Sequence, residues 1–362
     1  MTRAPRLAFV VPGGFDRPTG GNNYDARLAE ALADAGARLT MVKLAARYPD
    51  PEAVAERGDQ ARLAALGRHD WVIGDGLVFG ARPAWAAELA RRYAFAALVH
   101  HPLALETGLD AATAARFRQQ ETATLSRAQR VIATSADTAA RLRRDFAVPA
   151  RRLAVIEPGT DPAPLSPARP DAQGNRLLAI GALTPRKGHD VLLDALAGLI
   201  DRSWHLDLAG PDDADPRWTA QLRHRAEQAG IAQRISWHGR VDDDIRADLY
   251  DRATLFVMPS RYEGFGMAAR EALAHGLPSL VSAAGGLIHA VPAGAGWHVP
   301  PGDVSGWHRA LARILDAPHT HADLRARARA ARAGLPDWRD AAEALLAELS
   351  PVSGDACPGA RP

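Results

Sequence analysis

The feature that most constrains this chain is an alternation that occurs twice. RLAFVVPGG, ARLTMVKL, DWVIGDGL, AFAALVHH, RVIATS and LAVIEPG are short apolar runs separated by Ala/Leu/Arg segments of helical period. Strands alternating with helices imply a parallel, doubly wound α/β sheet covered on both faces. DPAPLSPARPDAQGN then interrupts the pattern with Pro, Asp and Gly, which favour an extended connection. The alternation restarts with RLLAIGAL, WHLDLAG, ISWHG, ATLFVMPS, PSLVSA and GWHVP. At 362 residues the chain exceeds what one hydrophobic core usually supports. We therefore expect a first domain over 1–165, a linker over 166–175 and a second domain over 176–336. Two such domains are expected to face a central cleft, with ligands beyond the carboxyl ends of the strands.

Composition narrows the chemistry. Apolar residues at 47% and charged residues at 24% are ordinary for a globular α/β protein. The net charge of +2 and the scattered basic residues give no footprint for nucleic acid. The chain has no apolar run of the roughly 18 residues that a membrane span needs, and MTRAPRLAFVVPGG runs directly into a strand pattern. The expected location is cytoplasmic. Cys357 is the single cysteine and lies in the Pro/Gly-rich end at 351–362, which is expected to be disordered. Of the 44 basic residues only Lys43 and Lys187 are Lys. A Lys kept in so Arg-rich a chain points to a site that needs a compact ammonium.

MPSRYEGFGMAAREALAHGLPSLVSAAGG carries the densest chemistry. An apolar strand ends at Pro259 and Ser260, a turn presents Glu263, and Gly264 and Gly266 open a helix that carries Glu271. Glycines at a helix start let backbone amides approach a phosphate, and the helix dipole favours the anion. Glu271 lies about one and a half turns further along, where it could accept hydrogen bonds from a ribose diol. Asp242, Asp243 and Asp244 have the look of a metal triplet but fit the N-terminus of the following helix, IRADLYDR, more simply.

This segment resembles the E-x7-E region of retaining GT-B glycosyltransferases, in particular glycosyltransferase family 4 (glycosyl transferases group 1). IGALTPRKGHDVLLDAL is similar to their phosphate-binding strand, loop and helix, and the likeness covers nearly all of 176–316. PTGGNNYDARLAEALADAG resembles the family's glycine-rich loop and first helix, with Gly20 and Gly21 in place. The resemblance implies two Rossmann-like domains, Glu271 on the ribose and Glu263 near the donor sugar. Lys187 and Arg186 would hold the diphosphate, with backbone amides of Gly264, Phe265, Gly266 and Met267 completing the cradle. Arg240 and Val241 would lie against the base, and His100 or His101 would meet the donor sugar. WRDAAEALLAEL resembles the helix, here 337–350, that crosses back to the first domain. Ala182 departs from the Arg that many relatives carry after the glycine matching Gly181.

The activity so implied is retaining transfer of a hexose from a UDP- or GDP-linked sugar to an unidentified glycan, lipid or small-molecule acceptor. No metal or other cofactor is expected, since the single Cys offers no cluster and Asp242 to Asp244 are read as a helix cap. The alternatives are a GT-B sugar-phosphate phosphorylase or synthase with a soluble acceptor, and a nucleotide-sugar-binding module without turnover. RFRQQ, RLRRDF and ARRL offer basic, partly apolar surface for weak peripheral contact with the inner face of a membrane.

Overall fold

The computed structural model describes residues 4–14, 19–45, 48–170 and 174–349. Each of the twelve apolar runs forms a strand. In the first half these are β1 (Arg6–Val11), β2 (Arg38–Lys43), β3 (Trp71–Asp75), β4 (Ala94–Val99), β5 (Arg130–Ala133) and β6 (Leu153–Val155). In the second they are β7 (Asn175–Ile180), β8 (Trp204–Ala209), β9 (Ile235–Gly239), β10 (Leu255–Met258), β11 (Ser279–Ser282) and β12 (Gly296–Val299). All pairings are parallel. Inner strands such as LFVM are buried throughout because helices cover both faces, whereas RLTMVK alternates in exposure at a sheet edge.

The two sheets differ in strand order. The first runs β2-β1-β3-β4-β5-β6 and the second β12-β11-β10-β7-β8-β9. In an open parallel sheet, ligands bind beyond the carboxyl ends where the order reverses. That point lies between β1 and β3 in the first sheet and between β7 and β10 in the second.

The chain divides into two compact units. One takes in everything up to Gly159 and resumes at Pro336, and the other is Thr160–Leu335. The first unit thus ends ahead of 165, because the segment that follows is tied to the second. Ser166 donates its N–H to His275 O at 2.9 Å and its hydroxyl to Asp251 O at 3.1 Å, while Arg332 donates to Ala163 O. Helix Trp338–Leu349 packs in the first unit against helix Gly20–Asp34, with the Trp338 ring edge-on to Tyr24 at 5.6 Å. Residues from 350 onward, Cys357 among them, lie outside the described residues. No described helix is long and apolar enough to cross a membrane.

Candidate functional site

In the second unit, the loops after β7 and β10 meet at the reversal point. β7 leads through Gly181 and Ala182 into a single 3-10 turn, Pro185–Lys187, and then Gly188 starts helix His189–Ala197. Gly188 has φ +66°, and a Cβ there would stand 2.2 Å from Pro259 O, so only glycine lets the two loops approach this closely. Arg261 locks them together: its N–H donates to Arg186 O at 2.8 Å and its guanidinium forks onto Asp190 at 2.7 and 2.8 Å.

The closure brings Lys187 onto Glu263. Lys187 Nζ donates to Glu263 Oε1 at 2.6 Å, Ser260 Oγ donates to the same oxygen at 2.7 Å, and Arg186 Nη1 lies 3.6 Å from Oε2. Burial raises the pKa of Glu263, but the Lys187 and Arg186 charges and the two hydrogen bonds outweigh it and hold the group at about 2. The carboxylate is therefore ionised at any physiological pH. Behind it His189 is buried and pushed down to about 4, by burial and then by the Lys187 charge, so it stays neutral.

Beyond Glu263, Gly266 has φ +107° and heads helix Met267–Ala274 with no side chain capping its first amides. The Phe265 side chain is packed beneath the Arg270 guanidinium at 4.7 Å, leaving only its backbone for a ligand. Glu271 Oε2 accepts from Tyr250 Oη at 3.0 Å and lies 4.0 Å from Arg246; burial raises its pKa against both. Arg240 and Val241 directly follow β9, with Arg240 paired to Asp213 at 2.7 Å and Val241 against the core. Asp242 accepts from Ile245 N–H at 2.8 Å and caps helix Asp243–Arg252, with Asp243 and Asp244 in its first turn.

In the first unit, Gly20 and Gly21 open helix Gly20–Asp34, capped by Thr19 through Asn22 N–H. At this unit's own reversal point His100 ends in a cluster the sequence did not reveal. Its Nε2 lies 2.9 Å from Asp25 Oδ1 and 3.3 Å from Asp75 Oδ2, both carboxylates being buried. Burial disfavours the imidazolium, yet Asp25 and Asp75 overcome it and raise His100 to about 10. Asp75 also caps the short helix Gly76–Phe79 through Leu77 N–H at 2.6 Å. Buried Glu121 accepts from Leu103 and Ala104 N–H at 2.7 and 2.9 Å and so fixes the loop behind the two histidines. His101 points elsewhere, with Nε2 3.9 Å from Glu106. Among the described residues, Asp25, Asp75 and His100 are the one set of three with ligand atoms close enough for a metal. The imidazole at hydrogen-bond distance offers one positive charge to the two acids, and burial, with Asp75 beside it, raises Asp25 to about 7 against the pull of His100.

Several arginines of the three basic segments are engaged within the protein. Arg141 pairs with Asp137 and Arg144 with Asp145, both at 2.8 Å, and Arg152 donates to the carbonyls of Leu125, Ser126 and Ala128.

Solved structures share this architecture over almost the whole chain. Sucrose-phosphate synthase from Thermosynechococcus elongatus superposes with a TM-score of 0.79 at 24% identity, covering 95% of this chain and 98% of that one. Anabaena HepE, solved in complex with UDP and glucose, gives 0.76 at 17% identity, covering 96% and 100%. The fold is GT-B: two Rossmann-like units, each a six-stranded parallel sheet. The family described as glycosyltransferase family 4 matches residues 18–164, and that described as glycosyl transferases group 1 matches 167–331. The chain belongs to this family of glycosyltransferases.

Among its relatives are mannosylfructose-phosphate synthase of Agrobacterium fabrum, 34% identical over 45% of this chain, and D-inositol 3-phosphate glycosyltransferase of Streptomyces griseus, 33% identical over 62%. The matches span 40% and 54% of those two proteins, so the chain covers about half the length of these curated relatives. MMP alpha-(1->4)-mannosyltransferase of Mycolicibacterium hassiacum is 29% identical over 75% of this chain and 68% of its own.

Proposed function

We propose that the protein transfers a hexose, with retention at the anomeric carbon, from a nucleoside diphosphate sugar to a small soluble acceptor. The observation that carries this reading is the Lys187, Arg186 and Glu263 cluster at the reversal point of the second sheet, beside an uncapped helix start. Transfer requires a diphosphate to leave with growing negative charge. Lys187, Arg186 and the first amides of helix Met267–Ala274 are fixed donors suited to that charge. Glu271, oriented by Tyr250, is assigned the ribose diol, and Arg240 with Val241 the base. Glu263 fixes the Lys187 ammonium, and its buried carboxylate is ready to accept from a sugar hydroxyl. In the first unit, the imidazolium of His100 donates to a substrate hydroxyl. The acceptor attacks on the face the diphosphate leaves, and the departing phosphate takes the acceptor's proton. No step needs a metal.

A soluble acceptor is favoured over a lipid because Arg141, Arg144 and Arg152 of the basic segments are engaged within the protein. Two relatives are moreover named for products or acceptors that are small phosphorylated molecules. UDP is the nucleotide to test first, since HepE was solved with it.

The test is a screen of UDP- and GDP-sugars for nucleotide release with and without EDTA, followed by NMR of the product's anomeric configuration. Lys187→Ala should lower turnover on the order of a hundredfold or more, the cost of losing one such charged contact. Lys187→Arg should restore only part of it, because a planar fork cannot replace the compact ammonium. Strict metal dependence would overturn the assignment of leaving-group charge to protein groups, and affinity without released nucleotide would leave a binding module.

A further inference from the structure

Arg270 is the fourth residue of helix Met267–Ala274 and is only 4% exposed, although a guanidinium is rarely buried unless its donors are engaged. Side chains on a helix lean toward its N-terminus, so this one runs back under the glycine turn that opens the helix. There its Nε donates to Ala290 O and its Nη2 to His289 O, both at 2.8 Å, and its Cζ lies 4.7 Å from the centre of the Phe265 ring. Those two carbonyls end helix Leu287–Ala290, where a helix has no donors of its own left for them.

The short helix is in turn fitted to the turn it faces. Gly286 donates its N–H to Glu263 O at 2.9 Å, and a Cβ on Gly286 would stand 2.3 Å from Gly264 O and 2.5 Å from Phe265 Cα. A Cβ on Gly266 would meet Leu287 Cδ2 at 2.4 Å. These contacts form a closed circuit. It runs from Glu263 through Gly286 to helix Leu287–Ala290, from the last carbonyls of that helix to Arg270, from the guanidinium to the Phe265 ring, and along the chain back to Glu263.

An aliphatic side chain of similar length would fill the space without the cost of taking a guanidinium out of water. What the guanidinium adds is direction. Its planar donors fix it on two carbonyls at once, and its face then fixes the Phe265 ring. Phe265 and its neighbours carry the backbone amides assigned to the diphosphate, so the circuit sets the shape of the turn that presents them. A cation near the start of a helix also opposes the helix dipole, a cost that an anion held at the same end offsets.

We propose that Arg270 is a positioning residue for the donor: it holds the turn of Gly264, Phe265, Gly266 and Met267 in the shape that receives the diphosphate, and it acts on that part of the nucleotide alone. This rests on the assignment of those amides to the leaving group.

Binding of UDP, GDP, uridine and guanosine to the full chain tests it, by calorimetry for the diphosphates and by NMR titration for the weaker nucleosides. Arg270→Met keeps most of the volume and the cover over Phe265 but loses both carbonyl bonds. It should weaken the preferred diphosphate about tenfold, since a misplacement of about 1 Å can cost on the order of a hundredfold at a reacting centre, and leave the matching nucleoside unchanged. Arg270→Lys, with one ammonium for two carbonyls, should recover part of the loss. Phe265→Leu leaves Arg270 and its carbonyl bonds in place and should reproduce the selective loss, and adding Arg270→Met to it should weaken the diphosphate little further. Far-UV circular dichroism checks folding; should Arg270→Met not fold, Arg270→Lys and Phe265→Leu carry the same comparison of diphosphate with nucleoside. Equal weakening of diphosphate and nucleoside would mean that Arg270 supports the unit as a whole and would end the proposal. No binding of either diphosphate by the unaltered protein would end it together with the donor-site reading, whereas a weakened Lys187→Ala beside a normal Arg270→Met would end the Arg270 assignment alone.

Discussion

Lys187 and Glu263 form a pair whose chemistry and stability are entangled, and their titration separates the two. Glu263 is held at about 2 rather than 4.5. A depressed carboxyl contributes stability that is present above its unfolded value and lost as pH falls from about 4.5 toward 2. Glu263→Gln should therefore lower stability at neutral pH and flatten its acid dependence in that window, as chemical denaturation at a series of pH values would read. Lys187→Ala alone leaves a buried carboxylate with Arg186 as its nearest remaining cation; breaking such a pair costs about 3 to 5 kcal/mol. The double change should recover much of that stability without recovering donor affinity. A double variant that binds donor normally would remove Lys187 from the diphosphate. His100 runs the other way. Its pKa is raised from 6.5 to about 10, so its contribution is full below 6.5 and lost as pH rises through about 10. Asp75→Asn removes one counter-charge and should lower the His100 pKa by at least one unit, the usual size for a neighbouring charge, as followed by NMR of the imidazole Cε1 proton.

At the scale of elements, the twelve strands were readable because each is a short apolar run bounded by Gly, Pro or charged residues. The strand order was not. Alternation alone is the same in both halves, whereas the first sheet reverses between β1 and β3 and the second between β7 and β10. This explains which candidate residues the sequence could bring forward. Lys187, Glu263 and Glu271 could be singled out as candidates because they lie in two contiguous motifs with a family likeness. Asp25 and Asp75 were missed because a helix residue, the end of β3 and the end of β4 meet only once the order β1-β3-β4 is known. Ser260 gave no signal beyond standing at a strand end, and Tyr250 none as the partner of Glu271. One element carries the closure of the donor loops, and its weak point is Gly188. Alanine there must adopt φ +66° and place a methyl 2.2 Å from Pro259 O. Substitution at a positive φ costs more than about 1 kcal/mol even without a clash. Gly188→Ala should lower the melting temperature and weaken donor binding together; unchanged donor affinity would mean that the β7 and β10 loops need not approach this closely.

At the scale of the molecule, the chain leaves the first unit at Gly159 and comes back to it at Pro336, so the first unit is completed last. The return is made by helix Trp338–Leu349, whose Trp338, Ala341, Ala342, Leu345 and Leu349 are buried. Their spacing places one apolar stripe along the helix, as a single packing face requires. Trp338 sets the register: its ring meets the edge of Tyr24 at 5.6 Å, and Tyr24 in turn donates its hydroxyl to Ile156 O at 2.9 Å. Tyr24 also lies edge-on to His100 at 5.0 Å, which connects the returning helix to the Asp25, Asp75 and His100 cluster through one ring. Trp338→Ala should therefore act on the first unit alone. Removing a buried Trp costs about 3 to 5 kcal/mol, a large part of the stability of one such unit. Hydrogen exchange by mass spectrometry can report the two units separately. In the Trp338→Ala protein, amides of helix Gly20–Asp34 and of β1 should lose protection strongly, while those of β7 and β10 keep theirs and nucleotide affinity at Glu271 is preserved. Equal loss of protection in both units would show that the returning helix stabilises the whole chain, and no loss anywhere would show that the first unit is complete at Gly159.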